Sequence, residues 1–146
     1  MSAGGARRDT DRVLEKFNPP GVHETAGYSH VTISSAGRLA HLAGQCPLGL
    51  DGAVVGGPGD YDAQTDQVIA NCLAVLEAAG VTPADVVRSI IYVVSADSSV
   101  LAGVWDRLNA SALAPAFSTA STLLGVAALG YRGQLIEVDL TAALPA

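Results

Sequence analysis

Residues 30–34, His30-Val31-Thr32-Ile33-Ser34, alternate in polarity and are rich in β-branched side chains, and this period of two predicts a strand. Ser35-Ala36-Gly37-Arg38 predicts a turn and residues 39–44 a second short strand, so the two read as a hairpin. The glycine-rich residues 48–60 predict a long loop. The period then changes. Across residues 61–80, Val68, Ile69, Cys72, Leu73, Val75, Leu76 and Ala79 recur mostly at steps of three and four, and Gly80 supplies a stop, which predicts an amphipathic helix. Thr82-Pro83-Ala84-Asp85 predicts a further helical turn, and the strongly β-branched residues 86–95 a buried strand. Asp97-Ser98-Ser99 caps a helix over residues 97–113 that Ala114-Pro115 ends. Residues 122–129 and 135–142 predict two more strands, joined by the turn Gly130-Tyr131-Arg132-Gly133. Ahead of all these, residues 9–17 predict a helical turn or two, which Asn18-Pro19-Pro20-Gly21 stops.

The predicted order is β-β-α-β-α-β-β. Helices arriving between strands imply an α+β fold, a single mixed sheet with both helices packed on one face. The other face is then left apolar and bare. At 146 residues the chain has the length of one domain, expected at residues 26–146 behind an N-terminal arm at 1–25. Its composition, 49% hydrophobic and only 15% charged, is apolar for so small a domain, and a symmetric oligomer that covers the bare face accounts for both.

Charge excludes a class of partners. The net charge is -6, from 14 acidic against 8 basic residues, and Lys16 is the single lysine. Nucleic-acid backbones need clustered Lys and Arg, so no nucleic-acid partner is expected. Cys46 and Cys72 fit neither a disulfide framework nor a zinc pattern, and no metal or cofactor is expected. No apolar run reaches the ~18–20 residues of a membrane span, and residues 1–12 lack the apolar core of a signal peptide. The expectation is a soluble cytoplasmic protein with no membrane partner.

Five strings, in order, resemble the YjgF/RidA family, also called the L-PSP endoribonuclease family. Gly27-Tyr28-Ser29-His30 is similar to the family's Gly-Pro-Tyr-Ser-Gln, and Ala43-Gly44-Gln45-Cys46-Pro47 to its Ser-Gly-Gln-Ile-Pro. Gly59-Asp60 with Gln64, Gln67 and Asn71 follows, then Ala78-Ala79-Gly80 with Asp85-Val86-Val87. The last is Gly125-Val126-Ala127-Ala128-Leu129 with Leu135-Ile136-Glu137-Val138. The resemblance covers about residues 26–142. It implies the family's chorismate mutase-like fold, a homotrimer whose sheets form an inner barrel, and small-molecule clefts between subunits. It also implies a hydrolase of deaminase type, turning reactive enamines and imines into keto acids and ammonia.

Deaminating members hold the substrate carboxylate with an arginine in a Pro-Ala-Arg string. Anchored on Val126-Ala127, that string aligns with Thr119-Ala120-Ser121, so Ser121 stands at the arginine's position. A competing alignment from Pro115-Ala116 puts Phe117 there, at the cost of a four-residue insertion. Neither supplies a forked cation, and losing a buried charge-assisted pair costs several kcal/mol of binding. Arg88, near the start of a buried strand, and Arg132, in the last turn, are poorly placed to substitute.

By the same resemblance Glu137 positions a water as general acid/base, and Tyr28 is the cleft tyrosine; these are the expected catalytic residues. Ser121, Gly125, His30 and Phe117 are the expected substrate-binding residues. Glu137 also fits the outward face of an edge strand, and Tyr28 ordinary packing. His30 suits proton transfer near neutral pH or plain surface. Ser121 lacks a neighbouring base and is expected to bind a neutral ligand rather than act as nucleophile. Cys46 is expected to be a small buried hydrophobe. Two functions remain open: processing of an enamine, imine or related reactive nitrogen compound other than the 2-imino acids, or a non-catalytic trimer that binds a metabolite or partner. A ribonuclease is disfavoured by an acidic chain with no histidine pair or basic groove.

Overall fold

A computed structural model describes residues 14–35 and 37–145. The strands are β1 (Leu14–Phe17), β2 (Val31–Ser34), β3 (Leu39–His41), β4 (Val86–Val94), β5 (Ala120–Val126) and β6 (Ile136–Ala143), with helices α1 (Tyr61–Ala78) and α2 (Ser98–Asn109). The α+β class holds, with two helices and a mixed sheet. β3, β6, β4 and β5 lie in that order; β4 pairs antiparallel with β6 and parallel with β5.

β4 and β6 alternate between faces as a pleated strand must. Ser89, Ile91 and Val93 on β4, with Ile136, Val138 and Leu140 on β6, are buried. The apolar ones among them pack into one core with Val68, Cys72 and Leu76 of α1 and Val104 and Leu108 of α2, so both helices cover the same face. The opposite face presents Arg88, Ile90, Tyr92 and Val94 of β4 and Glu137, Asp139 and Thr141 of β6. Leu124 of β5, aligned with Tyr92 on that face, is 40% exposed.

α1 begins where Asp60 accepts a hydrogen bond from Ala63 N (3.0 Å). Asp97 caps α2 by accepting from Ser99 N (2.9 Å). Arg107 of α2 reaches Asp66 of α1 through two nitrogens, each at 2.8 Å, and ties the helices together. The expected turn at Thr82-Pro83-Ala84-Asp85 is a 3-10 turn over Pro83–Asp85. α2 stops four residues short of the expected end, and a second 3-10 turn, Ala114–Phe117, follows.

The fold departs from the sequence reading in two places. Residues 31–34 and 39–41 do not form a hairpin: β3 pairs with β6, and β2 pairs with β1 in a separate two-stranded ribbon. Leu14–Phe17, expected to be helical, is the strand β1; residues 9–13 of that expectation lie outside the described residues. Pro19 and Pro20 deny a helix its continuation and favour extended backbone before them, which frees Leu14–Phe17 to pair. β5 and β6 are successive in the chain but not adjacent: the longer β4 lies between them and pairs with both. No described helix is long and apolar enough to cross a membrane.

Candidate functional site

Beside α2, at the β5 edge of the sheet, lies a cavity of about 550 Å³. Its walls are Leu101, Ala102 and Trp105 of α2, Ser121, Thr122 and Leu123 of β5, Ser98 at the start of α2, and Ala26 and Tyr28 from the loop before β2. None of these side chains is charged. Tyr28 and Ser121, two of the expected residues, meet here.

The loop carrying Tyr28 is held at several points. Gly27 has φ +94°, a left-handed conformation that an L side chain resists, so glycine turns the chain into Tyr28. Ser29 N donates to Thr119 O (3.2 Å) and Ser29 Oγ to Ser118 O (2.8 Å), docking the loop on the start of β5. Trp105 Nε1 donates to Ala26 O (3.2 Å), and its ring meets Tyr28 edge-on at 6.3 Å. The Tyr28 hydroxyl is 2.9 Å from His23 Nε2. His23 was not among the expected residues: it lies in a loop with no periodicity to flag it.

The other expected residues take different places. His30 does not line the cavity; its ring is edge-on to Tyr28 at 5.8 Å and its Nε2 meets His23 O at 2.8 Å, so it braces the loop. Phe117 is fully buried behind Trp105, with ring centroids 6.0 Å apart. Gly125 allows a close approach: a Cβ there would stand 2.5 Å from Ser95 O and 3.5 Å from Leu101 Cδ2. The Ser121 hydroxyl faces inward, 2.5 Å from Ser89 Oγ and 3.1 Å from both Phe117 O and Thr119 O. Arg88 lies on the far face of the sheet and donates to Thr122 Oγ1 (2.7 Å).

Glu137 of β6 is also on that far face, paired with Tyr92 of β4, so one chain does not bring it to the cavity. Its Oε1 accepts from Cys46 Sγ (3.0 Å) and Gln134 Nε2 (3.1 Å). Gly44 lies against the carboxylate, where a Cβ would be 2.5 Å from Oε2. Cys46 is thus half-buried and hydrogen-bonded, not the buried hydrophobe expected. Burial first, then the adjoining carboxylate, pushes its thiol up to about 11. The thiol therefore keeps its proton near neutral pH and donates. Among the described residues no cluster of His, Cys, Asp and Glu is arranged to hold a metal.

Residues 21–144 match the family described as Endoribonuclease L-PSP. Among solved structures, YyfB of Yersinia pestis, a protein of unknown function in the conserved Rid family, is 38% identical, with a TM-score of 0.80 over 90% of this chain and 98% of that one. YyfA of the same organism is 29% identical, with a TM-score of 0.62 over 83% and 90%. RidA from an Antarctic Psychrobacter is 25% identical, with a TM-score of 0.57 over 84% and 92%. No curated protein matches the chain significantly.

Proposed function

The chain belongs to the Endoribonuclease L-PSP family, that of the Rid proteins, and on that premise we propose that it hydrolyses an uncharged enamine or imine in a cleft between subunits. The observation that carries the reading is the cavity wall itself: Tyr28, Trp105, Leu101 and Leu123 offer an apolar body and hydroxyls, with no cation for a carboxylate. A substrate that enters such a wall leaves its own charge unpaired if it has one, and that is costly. Ser121 is small and its hydroxyl is already engaged, which leaves room and no charge where an arginine would stand. Arg88 does not line the cavity, and its guanidinium is already engaged with the hydroxyl of the wall residue Thr122.

The chemistry needs a water and a series of proton transfers. An enamine takes a proton from solvent on its β-carbon, or an imine takes one on nitrogen, and either becomes an iminium ion. Water then adds to the C=N carbon and gives a proton to Glu137, which leaves a neutral carbinolamine. That proton passes from Glu137 to the carbinolamine nitrogen, the C–N bond breaks to release ammonia, and the hydroxyl proton returns to solvent as the carbonyl forms, replacing the one taken up first. Tyr28 suits a hydrogen bond to the substrate nitrogen. Because Glu137 and the cavity lie on opposite faces in one chain, Glu137 of a second copy completes the site. The bare face that bears Glu137 is what an oligomer would cover.

Ammonia release from a panel of neutral linear and cyclic imines tests the reading. Glu137→Gln is expected to lower the rate by roughly 10²-fold or more, the usual contribution of a positioned acid/base. Unchanged rates in Glu137→Gln would remove the carboxylate from the mechanism.

A further inference from the structure

Glu137 is more tightly arranged than a surface carboxylate needs to be. Gln134 is 3% exposed and all its polar atoms are engaged: Nε2 donates to Ile136 O (3.0 Å) and to Glu137, and Oε1 accepts from Tyr131 N (3.1 Å). It is a fixed donor. Cys46 is fixed from its backbone. Its neighbour Gln45 exchanges two hydrogen bonds with Val138, at 2.7 and 3.1 Å, and Asn71 Nδ2 donates to Cys46 O and Leu48 O, both at 3.0 Å. Both donors converge on one oxygen, Oε1. Among the described residues nothing donates to Oε2, which lies over the Cα of Gly44 in space that a side chain there would fill. The other titratable groups on this face are Tyr92 across on β4, Asp139 further along β6, and Arg88 and His41; among the described residues none forms an ion pair with Glu137.

We propose that Cys46 is a positioning residue: its thiol, with the Gln134 amide, saturates Oε1 of Glu137 and leaves Oε2 as the single oxygen presented to a water or substrate. The importance of this for catalysis rests on the hydrolase reading above; the contact itself does not. Cys46 stands where the family's string has an apolar residue, so the arrangement belongs to this chain's own sequence. Two features argue for a donor over a nucleophile. The thiol keeps its proton near neutral pH, and the only base it touches among the described residues is the carboxylate it holds. Serine offers the same donor on a shorter bond; alanine offers none.

The pH dependence of Cys46 alkylation by iodoacetamide, followed by mass spectrometry on the intact full-length protein, tests the contact without any substrate. The wild-type midpoint is expected near pH 11, and Glu137→Gln is expected to lower it, because the carboxylate's acceptor and charge are gone. A wild-type midpoint at an ordinary thiol value, unmoved in Glu137→Gln, overturns the proposal. The kinetic arm uses neutral-imine hydrolysis. Cys46→Ala is expected to lower kcat roughly tenfold with little change in KM, and Cys46→Ser to restore most of it, each variant melting near the wild-type temperature. Equal kcat in wild type and Cys46→Ala overturns the role. A wild type that hydrolyses nothing, with a midpoint that still falls in Glu137→Gln, overturns the hydrolase reading and supports the pair.

Discussion

Three single residues show where packing, rather than chemistry, fixes identity. Gly125 sits where a Cβ would strike Ser95 O and press on Leu101, so Gly125→Ala should cost about 1–3 kcal/mol, read by urea denaturation. Phe117 is fully buried behind Trp105, and Phe117→Ala should cost about 3–5 kcal/mol by the same measurement. The chain presents both as candidate ligand contacts; the fold buries Phe117 behind Trp105 and leaves Gly125 exposed, close against Ser95 O and Leu101. Gly44 is the third: Gly44→Ala should displace the Glu137 carboxylate and lower neutral-imine hydrolysis more than it lowers the melting temperature. Tyr28, singled out by its local string, lines the cavity. His23, Gln134 and the Cys46 contact were not legible in the sequence, since each is defined by a partner that only the fold brings near.

At the scale of elements, periodicity served best where a segment makes its own structure. α1 matches the expected helix closely because its apolar positions repeat and Asp60 and Gly80 bound it. Asp60→Ala should lower stability by about 1 kcal/mol, seen as a lower denaturation midpoint with an unchanged slope. Strand pairing was less legible. β2 and β3 are short, and each finds a better partner elsewhere, so nearness in the chain misled. The α1–α2 tie gives a pH dependence. Arg107 holds the Asp66 carboxyl below its ordinary value, so the ionised pair stabilises the fold above the ordinary Asp range, and this is lost as pH falls through the lowered value. Arg107→Ala should therefore flatten the acid limb of the stability profile below about pH 4, a small effect that salt also reduces.

At the scale of the molecule, the two sheet faces have different destinies. One is filled by α1 and α2; the other carries Ile90, Tyr92, Val94 and the half-exposed Leu124 beside Glu137. The apolar composition, 49% hydrophobic, fits such a face. Sedimentation equilibrium should find a species three times the 14.7 kDa chain, and Leu124→Asp should shift it toward monomer with helix content retained. Dissociation should also abolish hydrolysis, since Glu137 and the Tyr28 cavity would no longer share a cleft.

A cleft walled by uncharged side chains favours an uncharged substrate, so substrate charge is the variable to change. Ammonia release from a neutral ketimine and keto-acid release from freshly generated 2-iminobutanoate can be followed with the same enzyme at the same pH. Acceleration is expected for the ketimine, at least roughly 10²-fold over buffer and sensitive to Glu137→Gln, with 2-iminobutanoate left at its buffer rate. Rapid keto-acid release from 2-iminobutanoate would contradict an uncharged-substrate site.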